Sequence, residues 1–372
     1  MQSISSNGSK FAPLGDASRK DLTAHLNATV AVTGYAHAIQ NLSIKPMSPL
    51  QPWYPALNGN LDAAKGHAMG WVDTLAPDIN SGVPQAIINY GNVFTEASTD
   101  ILNILISSND NPDPAGMQQI VALLGALSSS LTVQRQAVAD LQTRLRQFAA
   151  NVLDDNNNLQ TGADSIQSAI NLDEQTKDKI KGMINTLQAE IAVNSRKAAE
   201  SEIGIEAGIF LAVVAVSLAL ATGGLALLAV GAVAVLGVGA AITTDVVYTV
   251  ESMREMTQLG NEERELSDET KQILALTGLV STLNNIVALN EAAQEALTVV
   301  ATQWDDLSDK LQSVITDVQN AGKVEGILQQ IELSAAQTAW GQLVAFAMQV
   351  LAVTSGITVQ PLLRFPSAAP AT

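Results

Sequence analysis

The stretch from Ala207 to Thr244 carries no charged side chain, and this constrains the chain more than any other feature. It runs for roughly 38 residues, about twice the ~20 needed for one helical crossing of a bilayer. Gly223-Gly224 divides it into two apolar arms, and diglycine marks a turn because glycine enters positive φ without a Cβ penalty. Glu202 and Glu206 precede the stretch; Asp245 and Glu251 follow it. The pattern predicts a hairpin whose two ends lie on the same side. The first arm offers Ile209, Phe210, Leu211, Val213, Val214, Val216, Leu218 and Leu220 for contact with lipid. The second arm offers Leu225, Leu227, Leu228, Val230, Val233, Val235, Leu236, Val238 and Ile242. Gly223 and Gly224 are the expected tip, and Gly204 and Gly208 are small residues one turn apart that let apolar helices pack closely. Three readings follow: a hairpin buried in a helical core, a two-span anchor, or a hairpin hidden in a soluble protein that later inserts.

With 372 residues the chain can bury a substantial core. Its net charge of -17 makes nucleic acid a poor partner. Anionic headgroups repel such a chain, so membrane contact must be hydrophobic or led by a receptor. Cysteine is absent, which removes disulfides and thiolate metal sites. The first residues, MQSISSNGSKFAPLGD, lack the charged and apolar regions of a standard secretory signal.

The remainder reads as helix. Asp16 is a candidate cap for a helix over 17–43 with Leu22, Leu26, Val30, Ala31 and Ile39 apolar. Four prolines between 45 and 55 stop it. A second helical stretch, 56–107, holds Pro77 and Pro84, which predict a kink or a short break. NDNPDP at 109–114 predicts a turn, with Pro114 at a first helical position. Ile120, Leu124, Leu127, Leu131, Gln134, Val138, Leu141, Leu145, Phe148 and Val152 then alternate steps of four and three, the seam of a coiled coil. DDNNN at 154–158 and Gly162 are expected to weaken or bend this helix, before a seam at Ile180, Ile184, Leu187 and Ile191. Beyond the hairpin the spacing returns at Ile273, Leu276, Val280, Leu283, Val287, Asn290, Gln294, Leu297, Ala301, Trp304, Ser308, Leu311, Ile315 and Val318. Gly322 and Gly326 flank a corner, 327–353 is a last helix, and the tail from Thr354 is expected to fray. No alternation is sustained enough to predict a sheet.

Catalytic chemistry is not evident. His25, His37 and His67 lie far apart without ligand spacing. VAVLGVGAAI at 233–242 mimics a dinucleotide-binding turn, but Ile242 stands where its third glycine belongs. The acidic pairs Asp154-Asp155, Glu262-Glu263 and Asp305-Asp306 point about 100° apart on a helix and read as solvated faces. The expectation is no enzyme, no cofactor and no metal.

The order of elements resembles that of the cytolysin A superfamily of α-pore-forming toxins: proline-broken helices, a long helix, an apolar hairpin, a returning helix with WDDLSDKL, and a final helix. Within it, the layout is most similar to the B-type component of the tripartite haemolysin BL and non-haemolytic enterotoxin group. The resemblance implies an all-α, elongated bundle of long antiparallel coiled-coil helices with an apolar hairpin head. Tail helices would occupy 1–200 and 251–372, and the inserting head 201–250. It further implies a secreted soluble protein that inserts into the lipid bilayer of a target cell. There it would oligomerise with itself and with companion toxin subunits to form a lytic pore. The alternative is a non-toxic, membrane-anchored coiled-coil scaffold.

Overall fold

The computed structural model describes residues 52–169, 211–220, 227–236, 268–321, 328–354 and 359–362, together with single positions between 11 and 40 and at 178 and 182. Among the described residues five helices dominate: α1 (Tyr54–Gly70), α2 (Ala76–Ser107), α3 (Pro114–Ala169), α4 (Asp268–Ala321) and α5 (Gln330–Thr354). Strands β1 (Leu211–Leu220), β2 (Leu227–Leu236) and β3 (Val359–Leu362) form one antiparallel sheet in the order β1-β2-β3. The fold class is thus a helical bundle carrying an apolar hairpin, as expected, but the expectation of no sheet is corrected. The frayed tail is corrected for residues 359–362, which pair with β2; residues 363–372 lie outside the described residues.

Proline chemistry shapes the first helices. Pro55 sits in the first turn of α1, where its missing N–H costs nothing. Between α1 and α2 the chain stays helical through a π-helical turn, Trp71–Leu75, closed by the Ala76 N–H on the Trp71 carbonyl. The widened turn comes immediately before Pro77, whose ring would crowd a carbonyl four residues back in a regular α-helix. Pro84 lies inside α2 and leaves the Asn80 carbonyl without its helical donor. The Thr354 hydroxyl approaches that carbonyl at 3.5 Å. The expected break is therefore a π-turn at one proline and an uninterrupted helix at the other.

α2 ends in a Schellman arrangement: the Asn109 N–H donates to the Ile106 carbonyl and the Asp110 N–H to Leu105. Asn109 and Asp110 take φ of 51° and 59°, a region where short polar side chains are tolerated. Asp113 Oδ1 accepts from the Gly116 N–H at 2.7 Å, which caps α3 with Pro114 as its first residue. The turn expected at NDNPDP is in place.

By its contacts the chain divides into two compact units. The first comprises residues 1–26, 78–144 and 293–355. Its core is an aromatic cluster: Trp304 and Trp340 lie 6.0 Å apart at 21°, and Tyr90 meets both rings edge-on. Phe94 and Phe11 complete the cluster, and Trp340 Nε1 donates to the Phe11 carbonyl at 2.9 Å. Arg135 to Asp305 and Arg144 to Asp78, each 2.7 Å, tie helices at the exposed rim, where such pairs contribute little stability.

The second unit comprises 27–77, 145–292 and 356–372. Trp71 is fully buried here, 4.5 Å from Phe148 between ring centres, and its Nε1 donates to Thr33 Oγ1 at 3.0 Å. Of the residues expected to line the N-terminal helix, Leu22 (in the first unit) and Ile39 (in the second) are buried on helical positions. Leu26, Val30 and Ala31 lie outside the described residues. Thr29, Val32 and Ala36 are also buried on this helix.

All ten seam positions expected on α3, from Ile120 to Val152, are buried. The seam then continues through Asp155 and Leu159, so DDNNN does not interrupt the helix. The helix also runs through Gly162 to Ala169; a Cβ there would collide with Leu57 Cδ1, so the lack of a side chain permits that contact. On α4 the expected seam is half right. Asn290, Leu297, Trp304, Leu311, Ile315 and Val318 are buried as expected, but the other buried positions between them are Ala293, Val300, Leu307 and Val314. Gln294, Ala301 and Ser308 are only half-buried. The stripe steps by three and then four rather than by four and then three, because small Ala293 counts for burial as much as a long apolar side chain. Val287 is half-buried, and burial along 268–286 lies outside the described residues, as do the expected seam over 180–191 and the corner at Gly322 and Gly326.

Candidate functional site in the apolar hairpin

Within the uncharged stretch the described residues form two ten-residue strands. Leu211 pairs with Leu236 and Leu220 with Leu227, with every intervening residue in register. This register is centred between Gly223 and Gly224, which themselves lie outside the described residues. Among the candidate lipid-facing residues, Leu211, Val213, Val214, Val216, Leu218 and Leu220 stand on β1. Leu227, Leu228, Val230, Val233, Val235 and Leu236 stand on β2. Ile209, Phe210, Leu225, Val238, Ile242, Gly204 and Gly208 lie outside the described residues.

Sequence periodicity does not separate a fully apolar strand from an apolar helix. Both alternating sets of β1 are apolar apart from Ser217, as in strands covered on both faces. The signal that favours strands is β-branching: Val213, Val214 and Val216 in β1, and Val230, Val233 and Val235 in β2.

Strand β3 extends the hairpin on its β2 side, with Gly231 to Ala234 opposite Leu362 to Val359. Pro361 faces Ala232, and a proline is tolerated there because β3 is an edge strand. Among the described residues β2 is therefore paired on both sides, β1 and β3 on one.

Elsewhere in the described residues, the one close histidine–carboxylate pair is His67 Nδ1 with Asp155 Oδ2 at 2.8 Å. It joins α1 to α3 within the second unit. Asp155 is buried and not part of a solvated face as expected; burial pushes its carboxyl pKa up, and the bond to His67 opposes that shift. No local pattern announces this pair, because the two residues are 88 positions apart. Asp305, by contrast, is exposed as expected. The His37 pKa is lowered by burial. A cavity of about 50 Å³ beside Trp304 and Trp340 is far smaller than the ~300 Å³ at which small-molecule sites begin.

Residues 19–194 match the family model of the Bacillus haemolytic enterotoxin HBL. No curated protein matches the sequence. Among solved structures, the chain is similar to soluble SmhB of the tripartite alpha-pore forming toxin Smh from Serratia marcescens, with 16% identity and a TM-score of 0.70. That match covers 91% of this chain and 92% of SmhB. Soluble SmhA of the same toxin gives 12% identity and a TM-score of 0.71, over 94% and 96% of the two chains. The Bacillus cereus HblL1 toxin component gives 16% identity and a TM-score of 0.60, over 92% and 98%. The expected resemblance therefore holds in sequence over residues 19–194 and in fold over nine-tenths of the chain.

Proposed function

We propose that this chain, which shares the fold of tripartite α-pore-forming toxin components, is the component whose apolar hairpin inserts into a target-cell membrane. The observation that carries the reading is an uncharged stretch folded as a paired hairpin within a helical protein. Its apolar area, on the order of 2,500 Å², would cost tens of kcal/mol if exposed to water at ~25 cal/mol per Å². A secreted, soluble form must keep it covered, and a membrane is the solvent that welcomes it.

The sheet cannot enter lipid as it stands. An open sheet has unpaired N–H and C=O groups along its edges, and hydrocarbon offers them no partner. On insertion β3 lets go of β2, and the two arms refold as helices that satisfy their own backbone groups. The first arm, Ala207 to Thr222, would then be about 24 Å long and the second, Leu225 to Thr244, about 30 Å. The second length matches a hydrocarbon core of ~30 Å. Gly223-Gly224 forms the tip in this reading, and Gly204 and Gly208 the hinge.

Both arms are apolar all round apart from Ser217 and Thr222, which suits contact with lipid rather than a wet lumen. This favours the B-type role: the chain anchors an assembly, with copies of itself and with companion subunits whose hairpins line the channel. No step calls for catalysis or a cofactor.

The test is partition of the purified chain without detergent. A monodisperse soluble protein that then floats with liposomes supports the reading. Val214→Asp and Val233→Asp, each placing a charge costing about 2.5–3.5 kcal/mol at mid-membrane, should abolish flotation while the helical circular dichroism stays unchanged. A chain recoverable only in detergent identifies an anchored scaffold instead.

A further inference from the structure

Along α4 the positions buried every seventh residue are Asn290, Leu297, Trp304, Leu311 and Val318. One of the five is polar. Asn290 is 0% exposed and faces α3, where its Nδ2 donates to the main-chain carbonyl of Leu145 at 3.3 Å. Its Oδ1 is equally buried and receives no donor from the protein. An amide at a seam position fixes register at a cost in stability, and a buried acceptor without a protein donor adds to that cost. Two heptads of α4 further on, Trp304 packs against Tyr90 and Trp340, contacts that contribute beyond their buried area. The two levels of one helix thus differ sharply in what water would gain by entering. At Asn290 it would solvate an amide that lacks a protein donor; at Trp304 it would part packed aromatic rings.

We propose that α3 and α4 part first at the level of Asn290 and Leu145, and that this seam amide is a built-in weak point rather than a clasp. Local opening there gives the Asn290 Oδ1, which receives no donor from the protein, hydrogen bonds to water. The placement matters because α3 leads in sequence towards β1 and α4 follows β2. Separation at this level loosens the helical segments nearest the hairpin along the chain and spares the aromatic cluster. That this separation frees the hairpin for insertion rests on the function proposed above; the order of opening does not.

The cysteine-free chain allows a direct test by thiol labelling. Ala293→Cys, one turn from Asn290, and Ala347→Cys, on α5, replace residues that are both 0% exposed. The thiol at 293 should label at least about tenfold faster, since openings differ in free energy along a fold. Asn290→Leu should slow labelling at 293 by about tenfold, leave 347 unchanged and raise the urea midpoint, as expected when an apolar residue replaces a polar seam position. Equal labelling at the two sites, or an unchanged or faster rate at 293 in Asn290→Leu, overturns the proposal. Should that variant misfold, amide exchange of the wild-type chain decides: 287–297 must exchange faster than 337–347, and the reverse order refutes it. A chain that never binds vesicles refutes the proposed function while these rates still rank the openings.

Discussion

A methyl group added at Gly91 would collide with Val344 Cγ2 and lie 3.3 Å from Trp340 Cε3, whereas one added at Gly59 would meet nothing within 4 Å. Both glycines are helical, so alanine should gain about 1 kcal/mol from propensity at either site. Gly59→Ala should show that gain in urea denaturation; Gly91→Ala should instead lose about 1–2 kcal/mol, because overpacking outweighs it. Asp155 supplies a second contrast. Burial raises its folded pKa above the ordinary 3.8, so the folded state holds the proton more tightly than the unfolded chain. Stability at this site is therefore fully present below the unfolded pKa and declines as pH rises through the folded one. Asp155→Asn should keep a polar partner for His67 and remove the decline. Its urea midpoint should match wild type at pH 3 and exceed it at pH 7; a constant difference across that range would show that the carboxyl does not titrate as described. Nothing in the local sequence marks either residue. Asp155 reads in sequence as half of an acidic pair, and for both residues the neighbours across the bundle decide the outcome.

Among the elements, β3 is the part that sequence reading missed and the part most open to a covalent test. Four residues with a proline among them carry no strand signal of their own; they become a strand because β2 offers a free edge. Gln360 stands opposite Val233. Cysteines at both positions, oxidised, should fasten β3 to β2 and block liposome binding, with recovery on reduction. Equal binding by the oxidised and reduced forms would show that β3 stays attached on insertion. For α3 the outcome was the reverse: a regular heptad seam, once begun, persists through DDNNN, because one buried aspartate with a histidine partner costs less than ending the helix.

For the molecule as a whole, the issue is whether the chain builds a lumen by itself. Apolar arms without a polar face cannot line a wet channel. Dye release from vesicles should therefore be weak with this chain alone and rise at least about tenfold when the products of neighbouring genes are added, as a lumen lined by other amphipathic hairpins requires. Full release by the chain alone would remove the B-type assignment while leaving insertion intact. The shared fold does not make that choice in advance, since SmhA and SmhB resemble this chain equally well.

Sequence alone determined the helical body, the ten buried positions of the α3 seam, the turn at NDNPDP and the existence of an apolar hairpin. Each of these rests on a local pattern: a heptad, a cap, a proline, a long absence of charge. The tertiary structure decided the rest. It made the hairpin arms strands, since an apolar run permits either state and pairing with β3 selects one. It set which residues of α4 face inwards, because that depends on neighbours that the helix's own period does not encode. It also placed His67 against Asp155, a contact between residues too far apart in the chain for any local pattern to reveal.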